Sequence, residues 1–268
     1  MGMIETVKHF SVVQTAINKF WGKAYRNKAG VIQAVLDALG ARTYLEIGVA
    51  SGDCFRRIKA QRKIAVDPAP ESNFRSRLCS VSLKQPHLPE RLPGESLFEM
   101  ASDEFFAHYA GLFTEQPIDV VLIDGLHTYV QSLKDVLNCL AYLNPKGVIV
   151  LHDCNPASEA IGYPASSFEA AEQLHLPNWN SHWSGDVWKT IVHLRSGRDD
   201  LHVFVLDCDM GVGIVTRVHA ARRTTKRLPY AAEEVEQLCY QDLDRQRKVL
   251  LNLKHPRHFY DFLSALRS

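Results

Sequence analysis

Glu46, Asp67, Asp124, His127, His152 and Asp153 all stand at or just beyond the ends of short apolar runs, where side chains that carry protons or hold cations are best placed to do chemistry. Glu46 lies in the stretch Leu45-Glu46-Ile47-Gly48-Val49-Ala50-Ser51-Gly52-Asp53. A glycine directly after an apolar run lets the chain turn sharply and lets a ligand approach the backbone. Asp67 closes the next run, where an acidic side chain in such a unit meets the diol of a bound ribose. The two features together predict a nucleoside-like ligand.

Charge narrows the ligand. The dinucleotide pattern G-x-G-x-x-G would need glycine at Ala50 and Asp53, and a carboxylate at Asp53 would repel a pyrophosphate seated on the helix that follows. A nicotinamide-dependent oxidoreductase is thereby disfavoured. A cofactor without phosphates and with a cationic sulfonium tolerates Glu46 and Asp53, and S-adenosylmethionine has both properties.

The motif Glu46-Ile-Gly48-Val-Ala-Ser-Gly52 resembles the E-x-G-x-x-x-G of the class I methyltransferases. Ile123-Asp124-Gly125-Leu126-His127-Thr128-Tyr129 and Val148-Ile149-Val150-Leu151-His152-Asp153 are similar to the fourth and fifth strand ends of a subgroup that includes metal-dependent small-molecule O-methyltransferases, such as the macrolide-sugar enzymes. The resemblance runs from about residue 43 to 218. It implies that Glu46 organises the methionine end of the cofactor and Asp67 the ribose, and that Ser102-Asp103, after the third strand, approaches the adenine. The expected cofactor-binding set is Glu46, Gly48, Ala50, Ser51, Gly52, Asp67, Ser102, Asp103, Asp124 and Gly125.

If the runs ending at Asp124 and Asp153 are adjacent parallel strands, these carboxylates lie about 5 Å apart on the face where open α/β sheets hold ligands. Two such groups can share a divalent cation, Mg²⁺ or Mn²⁺, which lowers the pKa of a hydroxyl so that its oxygen attacks the methyl group. Asp124, His152 and Asp153 are the expected metal ligands, and Asp124, His127 and His152 the catalytic residues, either histidine accepting the proton. Relatives in the resembled subgroup usually carry an acid or an amide beside the second-strand aspartate. His152 stands there instead, and imidazole suits Mn²⁺, Fe²⁺ or Zn²⁺ better than Mg²⁺. A packing role for Gly48 and Gly52, a turn-capping role for Asp67 and a structural role for either histidine remain as alternatives.

These residues need a frame. Thr43 to Gly48, Lys63 to Asp67, Ile118 to Asp124 and Val148 to Asp153 are apolar runs separated by helical patterns, which predicts parallel strands with helical crossovers. Val130, Leu133, Val136, Leu137, Leu140 and Leu143 form a helical stripe that ends in the turn chemistry of Asn144-Pro145-Lys146-Gly147. Leu201 to Asp207 and Val212 to Val218, joined by Cys208-Asp209-Met210-Gly211, predict an antiparallel hairpin. The expected fold is a doubly wound α/β domain, Rossmann-like, with a mostly parallel seven-stranded sheet, a terminal antiparallel hairpin and extra N- and C-terminal helices. Residues 1-40 are read as a helical cap, 41-220 as the cofactor-binding domain and 221-268 as a helical extension.

Within the middle domain, residues 154-184 lose periodicity and form a candidate lid, with Trp179, Trp183 and Trp188 as candidates to line an acceptor pocket. The Gly185 helix opens with Asp186 and Lys189, which suit a cap and a surface charge and are given no role in the chemistry. Apolar Val235, Leu238, Val249, Leu250 and Leu253 serve either a homodimer or packing on the domain.

A net charge of +1 argues against a nucleic-acid or anionic-membrane partner. The basic stretch Arg217, Arg222, Arg223, Lys226 and Arg227 lacks interleaved aromatics and is assigned no function. No apolar run is long enough to span a bilayer, and the N-terminus lacks the pattern of a signal peptide. Six scattered cysteines without a Cys-x-x-Cys pair predict reduced thiols. The expectation is a cytoplasmic enzyme acting on a small-molecule acceptor.

Overall fold

A computed structural model of the protein describes residues 27–76, 78–82, 94–218 and 226–267. The expected N-terminal helix is seen from Lys28 to Leu39, and the part of that expectation before residue 27 lies outside the described residues. The Asn27 side chain accepts the Gly30 N–H at its start, and Gly40, in the left-handed region at φ +58°, stops it.

The strands are β1 (Thr43–Ile47), β2 (Arg62–Val66), β3 (Cys79–Ser82), β4 (Glu95–Glu99), β5 (Ile118–Ile123), β6 (Leu143–Leu151), β7 (Leu201–Leu206), β8 (Val212–Arg217) and β9 (Leu253–Lys254). They form one sheet in the order β3-β4-β2-β1-β5-β6-β8-β7-β9. All pairs from β3 to β6 are parallel, whereas β8 runs antiparallel to β6 and to β7. The doubly wound sheet and its antiparallel hairpin are as expected. The strand count differs: short β3 and two-residue β9 add one strand at each edge and make nine. Neither carries enough alternating apolar residues to be read from the sequence.

Central strands β1, β5 and β6 are apolar on both faces because helices cover both. One face holds Val31, Ile32, Val35 and Leu36 of the first helix together with Phe259, Phe262 and Leu263 of the C-terminal helix His258–Arg267. The other holds Val136, Cys139 and Leu140 of the helix Tyr129–Tyr142, with Trp188, Ile191 and Leu194 of the helix Trp188–Gly197. Burying each such aliphatic side chain stabilises the fold by about 1.5–3 kcal/mol. Trp188 therefore belongs to the core, not to an acceptor pocket.

Asn144-Pro145-Lys146-Gly147 does not break the chain into a separate turn. The helix ends at Tyr142, β6 begins at once, and the extra residues are absorbed where the β5–β6 register shifts between Ile118 and Val120. Residues 154–184 are largely irregular, with one short helix, Phe168–Gln173. Of the C-terminal apolar residues, Val235 and Leu250 are buried within the chain and Leu238 and Leu253 pack against the same core, while Val249 is exposed. No helix among the described residues is long and apolar enough to cross a membrane.

Candidate functional site

Strand order reverses between β1, which continues through β2 to one edge, and β5, which continues through β6 to the other. Ligands in open α/β sheets bind outside the C-terminal ends of the strands at such a switch point. Gly48 follows β1 and Asp124 follows β5, with the Asp124 N–H donating to the Ile47 carbonyl at 2.8 Å. At φ +82°, Gly48 is pressed so closely on the neighbouring turn that a Cβ there would lie 2.1 Å from the Asp124 carbonyl oxygen. Gly52, at φ +74°, is required by packing instead: its Cβ would meet the Phe74 ring at 2.1 Å.

Asp67 ties this turn to β2. Its Oδ2 accepts the N–H groups of Val49 and Ala50, both at 2.8 Å, and its Oδ1 accepts that of Ala69 at 2.8 Å. A carboxylate oxygen has two acceptor sites, so Oδ1 retains one for a hydroxyl. The capping alternative for Asp67 is thus realised and leaves room for a further contact. Ala50 adopts φ +45°, a costly conformation for a residue with a Cβ.

Glu46 is fully buried beneath the turn and accepts the Tyr44 hydroxyl at 2.5 Å. Burial pushes its carboxyl up to about 8, against the opposing hydrogen bond from Tyr44. Such a group binds its proton more tightly in the folded chain, so its stabilising contribution is complete below the usual carboxylate range and is lost as pH rises towards 8. Glu46→Gln removes this dependence. Urea unfolding of the variant is expected to show stability gained over wild type by up to about 1.4 kcal/mol per pH unit between pH 5 and 8, then a constant gap. A gap independent of pH would show that Glu46 is ionised throughout.

The cluster at the ends of β5 and β6 is denser. Parallel pairing sets Ile123 beside Leu151, so Asp124 and His152 follow side by side. His152 Nδ1 lies 3.1 Å from Asp124 Oδ1 and 2.8 Å from Asp153 Oδ2. His127 Nε2 lies 3.5 Å and 3.4 Å from the same two oxygens. Asp153, at φ +60°, is turned inward, and its Oδ1 accepts the buried Ser184 hydroxyl at 2.7 Å. Asp124, His127, His152 and Asp153 therefore come together as the sequence suggests.

Five ionisable groups share this cluster: Asp124, Asp153, His127, His152 and Lys28. Burial would raise the Asp124 carboxyl, but the His152 and His127 imidazoles and the Lys28 ammonium outweigh it and hold it well below the ordinary value. Burial would lower both histidines, and the two aspartates overcome it, raising His127 and raising His152 further. Lys28 pairs with Asp124 Oδ2 from the start of the first helix.

A carboxylate, an imidazole and a second carboxylate whose ligand atoms lie within 4.8 Å of one another fit a divalent cation such as Mn²⁺, Fe²⁺ or Zn²⁺. The carboxyl groups Glu46 and Asp67 beside a turn without phosphate-binding glycines likewise fit a cationic, diol-bearing nucleoside.

Ser102 and Asp103 open the helix Ser102–Tyr109 that follows β4 and are engaged by the helix Tyr129–Tyr142. The Ser102 hydroxyl donates to Asp135 at 2.6 Å, and Asp103 pairs with Lys134 at 2.6 Å and accepts from Gln131 at 3.3 Å. Burial pushes Asp135 up to about 6. Asp186 caps the start of that helix, accepting the Tyr129 N–H at 2.6 Å, and Lys189 is buried and bonded to the Glu236 carbonyl at 2.9 Å. Asp186 does not cap its own helix, Trp188–Gly197, whose start has no side-chain cap; its carboxylate serves the neighbouring helix instead, and Lys189 is no surface charge.

The sequence reading missed several members of the site. His127 Nδ1 donates to the Trp183 carbonyl at 2.7 Å, which leaves Nε2 facing the aspartates. Gly185, at φ +53°, permits this approach, since a Cβ there would lie 1.8 Å from the His127 carbonyl oxygen. Lys28, Ser184 and Asp209 were also missed. Asp209 was legible in principle: β8 runs antiparallel to β6, so the hairpin turn before Val212 has to arrive at the end of β6, beside Asp153.

Residues 45–154 match the family model described as a methyltransferase domain. A methyltransferase from Podospora anserina, in its SAH-bound form, is 16% identical over 71% of this chain and 78% of its own, with a TM-score of 0.47. An O-methyltransferase from Bacillus cereus in complex with SAH is 16% identical over 79% of this chain and 89% of its own, with a TM-score of 0.42. Comparison with curated proteins gives no match.

Proposed function

From the match of residues 45–154 to a methyltransferase domain and the geometry above, we propose that the protein is an S-adenosylmethionine-dependent methyltransferase that methylates a hydroxyl of a small-molecule acceptor with the help of a divalent cation. The observation that carries this reading is the convergence of Asp124, His152 and Asp153 with His127 Nε2 at the ends of β5 and β6.

In this reading the Gly48 turn gives the cofactor close access to the backbone, Asp67 Oδ1 accepts a ribose hydroxyl, and Glu46 faces the cationic methionine end. A cation near Glu46 favours its ionised form, so cofactor affinity rises with pH up to about 8. Ala50, Ser51, Gly52 and Gly125 shape the same turn pair, and Ser102 and Asp103 border the adenine side. Asp124, His152 and Asp153 would hold the metal. When bound, such an ion lowers the pKa of an acceptor hydroxyl and orients its oxygen. His127 is fixed by the Trp183 carbonyl with Nε2 inward, and the aspartates that raise its basicity suit it to take the hydroxyl proton. The irregular segment 154–184 supplies Trp183 and Ser184 to this wall of the site, consistent with a lid.

A second reading has one specific observation in its favour. Lys28 pairs with Asp124, and the two aspartates raise the His152 imidazole above its ordinary value, so this constellation carries its own compensating cations, which a metal-independent methyltransferase would use as they stand. Transfer of labelled methyl groups from S-adenosylmethionine to a panel of hydroxylated small molecules separates the two. The metal-assisted reading predicts turnover that EDTA abolishes, Mn²⁺ restores and Asp153→Ala eliminates. Turnover indifferent to EDTA selects the metal-independent one, whatever the effect of Asp153→Ala.

A further inference from the structure

Among Asp124, His152 and Asp153, the mutual contacts use Oδ1 of Asp124, Nδ1 of His152 and Oδ2 of Asp153. Three atoms of the set are left over: Oδ1 of Asp153 accepts the Ser184 hydroxyl at 2.7 Å, while Oδ2 of Asp124 and Nε2 of His152 both lead to one further residue. His152 Nε2 is buried without a hydrogen-bond partner among the described residues and lies 3.6 Å from Asp209 Oδ2. The same Asp209 oxygen accepts the Lys28 backbone N–H at 2.7 Å. Lys28 is the first residue of its helix, where N–H groups have no partner within the helix. From that anchored point its side chain runs to Asp124 Oδ2.

Asp209 is itself held by backbone, not by chance of rotamer. Asp209, Met210 and Gly211 are three consecutive residues in the left-handed region, at φ +48°, +61° and +90°. Aspartate and glycine tolerate that conformation better than most residues. The resulting hairpin tip is pinned to the chain just after Asp153: Cys154 N–H donates to the Gly211 carbonyl at 3.0 Å and Asn155 N–H to the Met210 carbonyl at 2.8 Å.

We infer that Asp209 is a positioning residue: its carboxylate faces the far nitrogen of His152 at ion-pair distance, 3.6 Å, and is tied to Asp124 by way of Lys28, which favours Nδ1 and Oδ1 as the atoms presented beside Asp153. The inference rests on the metal reading above. A histidine that ligates through one nitrogen carries its proton on the other, and a carboxylate that accepts this proton fixes both tautomer and ring orientation. Removing such a partner typically weakens metal binding by about 10- to 100-fold.

Calorimetric titration of the full chain with MnCl₂ tests this. Asp209→Ala is expected to weaken Mn²⁺ by about 10- to 100-fold, and Asp209→Asn, whose amide oxygen still accepts a hydrogen bond, by less. Asp207→Asn makes the same charge change in the same hairpin, at a residue that bonds Asn155 at 3.1 Å, and is expected to leave Mn²⁺ binding within about threefold of wild type, as small exposed charge changes do. If Asp209→Ala does not fold, Asp209→Asn against Asp207→Asn carries the comparison. Wild-type affinity in both Asp209 variants, with binding lost in Asp153→Asn, overturns the inference and leaves the metal reading standing. Equal weakening in Asp207→Asn and Asp209→Asn also overturns it, by assigning the effect to charge at a distance. No Mn²⁺ binding to the folded wild-type chain defeats the metal reading, and this inference with it.

Discussion

His127→Ala is expected to lower kcat for methyl transfer by about 10²- to 10⁴-fold, the usual contribution of a positioned general base, while S-adenosylhomocysteine binding stays near the wild-type value. The reason is the division of labour at the ring. Nδ1 is occupied by the Trp183 carbonyl, so the only nitrogen that can take a proton is Nε2, which faces Asp124 and Asp153. Loss of the imidazole removes the proton acceptor without touching the turn that follows β1. The two carboxylates raise the His127 pKa against the effect of burial. Its basic form, and with it kcat, therefore grows as pH rises through the raised value. A His127→Ala variant with unchanged kcat and an unchanged pH profile would show that the proton leaves by another route.

Gly48→Ala is the second large effect, and it acts on a different link. The left-handed φ and the 2.1 Å approach to the Asp124 carbonyl together leave no space for a methyl group. Backbone strain and overpacking each cost about 1–3 kcal/mol, so the variant is expected to lose on the order of 3 kcal/mol of stability. Because the clash drives the β1 and β5 turns apart, S-adenosylhomocysteine binding should fall by more than tenfold in the fraction that remains folded. Chemical denaturation and calorimetry on the same preparation measure the two effects. If Gly48→Ala keeps wild-type stability, the two turns are not in the contact described.

Much of this site was legible because period and punctuation carry it. Val120-Val121-Leu122-Ile123 and Val148-Ile149-Val150-Leu151 are apolar without alternation, which requires strands covered on both faces, and chemistry-bearing residues directly after such strands must lie at one sheet edge. That logic brings Asp124, His127, His152 and Asp153 together correctly. It also finds Glu46 and Asp67, but not their present partners: the Tyr44 hydroxyl for one, three backbone N–H groups for the other.

What escaped the sequence is held by tertiary contact. Lys28 reads as one more basic residue before a helix, and nothing local says that its ammonium reaches Asp124, ninety-six positions away. Ser184 and the Trp183 carbonyl sit in an aperiodic segment where backbone position is set by packing, not by pattern. Ser102 shows the converse. The resemblance implies a ligand contact there, and the structure adds a partner for its hydroxyl, Asp135, a buried carboxyl that no spacing rule marks.

The central claim is that the turn Glu46 to Gly52, with Asp67, forms the cofactor seat. Calorimetric titration of the folded chain with S-adenosylhomocysteine tests it most directly. Saturable one-to-one binding, weakened in Glu46→Gln and lost in Gly48→Ala, is predicted. Absence of any binding to a chain that circular dichroism shows to be folded would contradict it.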